Sequence, residues 1–325
     1  MKRIIVTLFT VAFLVFVLAA TYGQSAKYPY GPPPWTIGMA QDTMDHPWRA
    51  FMVTSMAAEA KKYPNLIKRF VYTDAKGTNE KQISDVEDLI AQKCDLILMS
   101  PREARPLQPA VEAIKKAKIP LVVVDREIVG EDYVAFIGGD NYKLAKELAE
   151  WVVKKEGTKW NWLEVIGVPG STPQIQRHEG FIAITDKNPG IKRLEGQVGN
   201  FDLAPTIPIM EDWLTKYKKG TFQVIYAQND PQALACVQVL KASGQYKPGE
   251  ICVLGVDGQR EAFEAIKEGW ISATSIYATG GAEALRIALK VLKGEPVPKR
   301  TITETPIVSA ENVDQYYDPN EVYVR

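Results

Sequence analysis

Along most of the chain, short apolar runs alternate with stretches of helical periodicity. The runs at 35–41 (WTIGMAQ), 95–100 (DLILMS) and 119–124 (IPLVVV) predict strands. They are continuously apolar rather than alternating, which suits a parallel sheet covered on both faces. A further strand is expected at 69–73, with helices at 47–62, 78–92 and 104–117. The alternation then begins again. Strands are expected at 133–139, 162–168, 196–200, 223–227, 251–256 and 271–276, and helices at 142–155, 174–187, 206–217, 231–242 and 281–292. In the last helix Leu285, Ala288, Leu289 and Leu292 share one face. Strands and helices in this order form right-handed βαβ units. Their number exceeds what one modest open sheet holds. The expected fold class is therefore α/β, with two consecutive doubly wound parallel-sheet lobes.

The N-terminus departs from this pattern. Lys2 and Arg3 precede an apolar run from Ile4 to Ala20, broken only by Thr7 and Thr10, and small residues follow up to Gly23. This layout predicts a secretory signal peptide over 1–23, the other reading being an uncleaved membrane anchor. No cysteine lies near its end, so a lipid anchor is not expected. Residues 24–34 (QSAKYPYGPPP) carry four prolines and read as an extended linker.

Composition removes several function classes. The 39 basic and 39 acidic residues balance, whereas a nucleic-acid partner would call for a basic surplus. His46 and His178 lie far apart, and Cys94, Cys236 and Cys252 form no C-x-x-C pair, so neither a metal site nor a disulfide scaffold is expected. The cysteines sit in apolar surroundings and read as buried free thiols. Nothing calls for a cofactor, since the segment at 169–172 (PGST) lacks the lysine of a phosphate-binding loop.

Candidate chemistry gathers just past the apolar strands, where open α/β sheets collect ligands. These positions hold Asp42, His46 and Trp48, then Ser100, then Asp125 and Arg126. Further on they hold Arg177, Phe201, Asn229, Asp257 and Tyr277. One such residue alone reads as a helix cap or turn former. Their recurrence at eight strand ends points to a shared ligand. Asp125-Arg126 is the most telling pair, because a buried strand terminus is a costly place for charge unless it is paired. Carboxylates accept two hydrogen bonds from vicinal hydroxyls, arginines donate to hydroxyl or ring oxygens, and aromatic rings cover C–H faces. The set suits a neutral, polyhydroxylated small molecule.

At these residues the sequence resembles the periplasmic sugar-binding proteins of the ribose-binding protein type, which serve ABC importers. The motifs are IGMAQDTMDHPW, IPLVVVDR, STPQIQRHEGF, YAQND, LGVDG and VLKGEPV, spread between about Trp35 and Glu304. The resemblance implies three crossovers near Gly139, Tyr277 and Thr303. These divide the chain into a first lobe (35–139 plus 278–302) and a second lobe (140–277 plus 303–325), with a hinge between. By the same resemblance Asp125, Arg126, Arg177, Phe201, Asn229 and Asp257 contact the sugar. The chain departs from the family pattern at Asp42 (usually Ser), His46 (Asn), Trp48 and Arg49 (two Phe), Ser100 (Asn), Val256 (Phe) and Tyr277 (Gln). These changes put ribose itself in doubt and suggest a hexose or a cyclitol such as myo-inositol, with a pentose or linear polyol left open. The implied protein is a monomeric periplasmic receptor that delivers its ligand to permease subunits. The alternative is a sugar sensor for chemotaxis or a sensor kinase. A glycosidase carboxylate pair and a lac-type repressor are the weaker readings, the latter because a signal peptide stands where a DNA-binding helix pair belongs.

Overall fold

The computed structural model describes residues 28–324, so the expected signal peptide lies outside the described residues. The chain runs β1 (Trp35–Gln41), α1 (Pro47–Ala60), β2 (Ile67–Asp74), α2 (Asn79–Ala91), β3 (Leu96–Ser100), α3 (Gln108–Ala117), β4 (Leu121–Val124) and β5 (Ala135–Gly139). It continues through α4 (Asn141–Glu156), β6 (Trp160–Ile166), α5 (Thr172–Thr185), β7 (Ile191–Val198), α6 (Leu203–Lys216), β8 (Val224–Ala227) and α7 (Asp230–Ser243). It ends with β9 (Cys252–Asp257), α8 (Arg260–Lys267), β10 (Ala273–Ile276), α9 (Gly281–Lys293), β11 (Arg300–Thr303) and β12 (Ile307–Ser309).

Two six-stranded sheets result, ordered β11-β5-β4-β3-β1-β2 and β12-β10-β9-β8-β6-β7. Every pairing is parallel except β10 with β12. Helix α9 packs on α1, β3 and β4, so it belongs with the first sheet although it follows the second in sequence. The chain therefore passes between the two lobes after β5, after β10 and after β11. The expected two-lobe α/β fold is the one observed.

Alternation along the strands explains the continuous apolar runs. Trp35, Ile37 and Met39 of β1 point into one apolar layer and Ala40 into another. In β3, Leu96 and Leu98 face the first layer while Ile97 and Met99 face the second. Both faces are covered by helices, so neither set has a polar alternative. Cys94, Cys236 and Cys252 are buried free thiols. Burial pushes Cys94 and Cys252 up to about 11 and Cys236 up to about 12, which keeps them protonated.

Several elements differ from expectation. The strand expected at 196–200 lies at Ile191–Val198, because its half-exposed edge position breaks the apolar run that marks the central strands. Helix α8 was not expected. It is eight residues long, and its buried Ala262, Phe263, Ala265 and Ile266 are interleaved with charge. The edge strands β11 and β12 were also unforeseen, being short, and β11 is largely exposed. The described part of the linker turns back rather than extending: Gly31 N donates to Tyr28 O at 3.1 Å, and Trp35 Nε1 donates to Gly31 O at 2.9 Å.

Gly281 sets how closely α9 approaches α1. A methyl group there would lie 2.3 Å from both Met52 O and Ser55 Oγ. Gly281→Ala should therefore force the helices apart and destabilise the fold by about 1–3 kcal/mol, measured by denaturant unfolding.

Candidate ligand-binding cleft

The carboxyl ends of both sheets meet at one cavity of about 590 Å³. Asp42, His46, Trp48, Arg49, Asp125 and Arg126 line it from the first lobe. Arg177, Phe201, Asn229, Asp257 and Tyr277 line it from the second lobe and the hinge. The backbone is bent sharply where it delivers some of these groups. Asp125 has φ +67°, and Arg126 N donates across it to Val124 O at 2.8 Å, a tight and strained three-residue turn. Asp257 has φ +139° and Phe201 φ +63°. Left-handed conformations at non-glycine residues are held only where the surroundings enforce them, and they cluster at functional sites. Gly167 supplies the floor beneath Phe201, whose ring would lie 2.1 Å from any added methyl group.

The first-lobe wall is a closed network of charges. Asp42 accepts from Arg126 Nη1 at 2.9 Å and from Arg102 Nη1 at 3.2 Å, with Arg49 Nε at 3.7 Å. Asp125 Oδ2 accepts from Arg49 Nη2 at 3.0 Å, and its Oδ1 accepts from the Tyr277 hydroxyl at 3.1 Å. Burial opposes the charge on Asp42, but Arg126, Arg49 and Arg102 outweigh it and hold its carboxyl below the usual range. Burial also lowers Arg126 to about 10. Arg126 Nε makes no hydrogen bond among the described residues, with Asp125 Oδ2 4.0 Å away.

Ser100 corrects an expectation. It is fully buried but does not line the cavity. Arg49 Nη1 donates to its hydroxyl at 3.0 Å and to Gln41 Oε1 at 3.1 Å, so Arg49 covers it. Ser100 orients the arginine rather than facing the cavity.

The second-lobe wall is less saturated. Arg177 donates from Nε to Asn141 Oδ1 at 2.9 Å and from Nη1 to Gln228 O at 2.6 Å. Its guanidinium lies 4.8 Å from the Tyr277 ring centre and 5.6 Å from that of Phe201. Asn229 is occupied structurally: its amide donates to Phe201 O at 2.8 Å, and its oxygen caps α7 by accepting from Gln232 N at 3.2 Å. The Asp257 backbone carbonyl accepts from Tyr277 N at 3.1 Å, whereas its carboxyl group has no hydrogen-bond or ion-pair partner among the described residues. Burial pushes its carboxyl well above the ordinary value; Arg177 acts against this, and the charges of Asp230 and Asp125 add to it.

The lobes touch across the cleft mouth. The His46 ring nitrogen Nε2 lies 2.9 Å from Phe201 O, and Glu127 N donates to Thr172 Oγ1 at 3.0 Å. At the hinge Trp48 Nε1 donates to Tyr277 O at 3.0 Å. A carbonyl only accepts, so His46 Nε2 carries the proton and Nδ1 is left as a buried acceptor without a partner among the described residues. Burial, followed by the charge of Arg49, lowers His46 to about 4. Arg102 and Gln259 also line the cavity and were not among the expected site residues. Both stand two residues beyond one that was, Ser100 and Asp257, so a slightly wider reading of the strand ends finds them.

Residues 37–296 match the periplasmic binding protein domain. The chain belongs to the periplasmic binding protein family. Among its relatives, the ribose import binding protein RbsB of Bacillus subtilis is 30% identical over 267 residues, covering 82% of this chain and 84% of that one. The fructose-binding periplasmic domain of a hybrid two-component system superposes with a TM-score of 0.80 at 32% identity, covering 87% of this chain and 93% of that one. An ABC transporter solute-binding protein from Bacillus halodurans with bound myo-inositol gives a TM-score of 0.81 at 26% identity, covering 87% and 96%. Periplasmic binding proteins are receptors rather than enzymes.

The His46 contact carries a pH dependence. The unfolded chain takes up a proton near pH 6.5, whereas the folded cleft excludes it down to about 4, so His46 stabilises the fold above this window and the gain is lost as pH falls through it. Asp230, raised by burial to about 6, acts in the opposite sense: its contribution is present below its ordinary 3.8 and is lost as pH rises through 6. The His46 share is therefore read as a difference. Thermal unfolding between pH 7 and pH 4 should show the parent losing more stability on acidification than His46→Gln.

Proposed function

We propose that this protein is an exported solute receptor that closes its two lobes around one monosaccharide or cyclitol and hands it to an ABC permease. The observation that carries this reading is the convergence of acids, arginines and aromatic rings from both lobes on a single cavity. In it Asp42, His46, Trp48, Arg49, Asp125 and Arg126 contact the ligand from one side. Arg177, Phe201, Asn229, Asp257 and Tyr277 contact it from the other, with Ser100 holding Arg49. The polar groups of the cavity suit hydroxyls: Asp257 and His46 Nδ1 accept, while Arg126 Nε and Arg177 donate. Ribose, fructose and myo-inositol in the names of relatives support a pentose, hexose or inositol of neutral charge. Because the ligand touches both lobes, it binds the closed form better and shifts the population toward it. Residues 1–23 are the proposed leader, and the periplasm is the proposed compartment, in keeping with the family. A second reading, presentation of the sugar to a membrane sensor, draws on the relative that forms part of a two-component system.

A thermal-shift screen over pentoses, hexoses, polyols and inositols tests the ligand class, since binding to the folded state raises the melting temperature. A shift with a nucleobase or amino acid and none with carbohydrates would replace the carbohydrate reading. Asp257→Asn should separate stability from binding. Replacing a buried carboxyl whose ionisation the surroundings oppose should raise the melting temperature of the ligand-free protein. The same change should weaken sugar binding about 10- to 100-fold by calorimetry.

A further inference from the structure

The C-terminal segment beyond residue 296 lies outside the matched family domain. Its last part, from Asp314 to Tyr323, is stitched along α8 of the second lobe. Lys267 Nζ lies 2.7 Å from Asp314 Oδ1, and the Tyr317 hydroxyl donates to Glu264 Oε1 at 3.2 Å. Arg260 donates from Nη1 to Pro319 O at 3.2 Å and from its backbone N to Val322 O at 3.0 Å. Tyr323 then pairs with Gln259 in an isolated antiparallel bridge. Gln259 belongs to the loop that follows Asp257, and its backbone N donates to buried Asp230 Oδ2 at 2.8 Å.

Anchored on the second lobe in this way, Tyr323 packs into the first. Its side chain is 2% exposed and lies in the apolar layer that includes Trp48, Met52 and Leu285. Its ring centre is 5.6 Å from that of Phe51 on α1. Phe51 follows two residues after Arg49, so the two ends of this contact sit next to opposing walls of the cleft. The Tyr323 hydroxyl is buried and makes no hydrogen bond among the described residues, so the ring, not the hydroxyl, makes the bridge.

We propose that the segment 316–324 is a strap, and that Tyr323 is a positioning residue which fixes the loop bearing Asp257 against the helix bearing Trp48 and Arg49. This rests on the reading of the cleft as the ligand site. The ring contact joins groups on different lobes, so rotation of one lobe against the other breaks it. The strap therefore adds to the population of the closed form whatever ligand is present. Its loss lowers the affinity for every ligand by the same factor, because the binding-competent fraction falls.

The test uses the mature full chain with Tyr323→Ala, Tyr323→Phe and, from the other lobe, Phe51→Ala. Amide hydrogen exchange without sugar reads the bridge directly. Tyr323→Ala should speed exchange both in 255–260 and in α1, and Phe51→Ala should do the same, with the double variant adding little. Calorimetry with D-ribose, D-fructose and myo-inositol reads the consequence. Whichever of these the parent binds should bind Tyr323→Ala about tenfold more weakly, with the order of preference unchanged. Tyr323→Phe should match the parent in both measurements. Faster exchange confined to 255–260, a changed order of sugars, or a Tyr323→Phe that behaves like Tyr323→Ala would overturn the proposal. If the parent binds none of the three, calorimetry is run with the carbohydrate that the thermal-shift screen identifies; a screen negative for all carbohydrates ends the carbohydrate reading, while the exchange measurement still decides the strap.

Discussion

The buried charge network at the ends of β1, β3 and β4 governs the rest of the molecule. Removing Asp42, Asp125, Arg49 and Arg126 from water is costly, and their mutual attraction offsets that cost only when the geometry is good and the remaining polar atoms are satisfied. Here each carboxylate is met by several donors. Parallel pairing of β1 with β3 and of β3 with β4 brings together groups that are 76 residues apart in the chain. The wall behaves as one object, because its charges share partners: Arg49 reaches both Asp42 and Asp125, and Asp42 meets Arg126, Arg102 and Arg49. Its geometry is set by the protein itself, which spares a ligand the cost of ordering it.

The two walls differ in kind. The first lobe uses its acids on its own arginines. The second leaves the Asp257 carboxylate unmet and places it near Asp230, another buried acid. A rigid face thus opposes one with spare hydrogen-bonding capacity. A guest that supplies hydroxyls to Asp257 offsets the desolvation that burial imposes on that carboxyl. The strained backbone at Asp125 and Asp257 belongs to the same arrangement, since both turns aim a carboxylate where a relaxed strand end would not.

Much of this was legible in the residues because central parallel strands are buried on both faces and announce themselves as unbroken apolar runs. The polar residues just beyond such runs fall at one end of each sheet by construction, which is why Asp42, Asp125, Arg177 and Asp257 could be placed in one cleft. The direction of each side chain was not legible. Arg49 reaches Asp125 and hides Ser100, a relation that depends on rotamers and on strand register. Asn229 lines the cavity, but the sequence did not show that its amide also donates to the Phe201 carbonyl and its oxygen caps α7. Tyr323 gave no signal, because the C-terminal stretch has no apolar period and its partner lies on a distant helix. Edge strands and the short helix α8 were missed for a related reason: half-exposed elements carry mixed patterns.

The apolar layer between the sheets and their inner helices does not stop at the hinge. Trp35 and Leu285 of the first lobe belong to the same packed cluster as Trp162, Phe181 and Tyr226 of the second, with Tyr277 at the join. The halves are therefore not beads on a string. Melting either one strips a dry face from its neighbour, so heat should disassemble them as a single cooperative unit even though each has a sheet of its own.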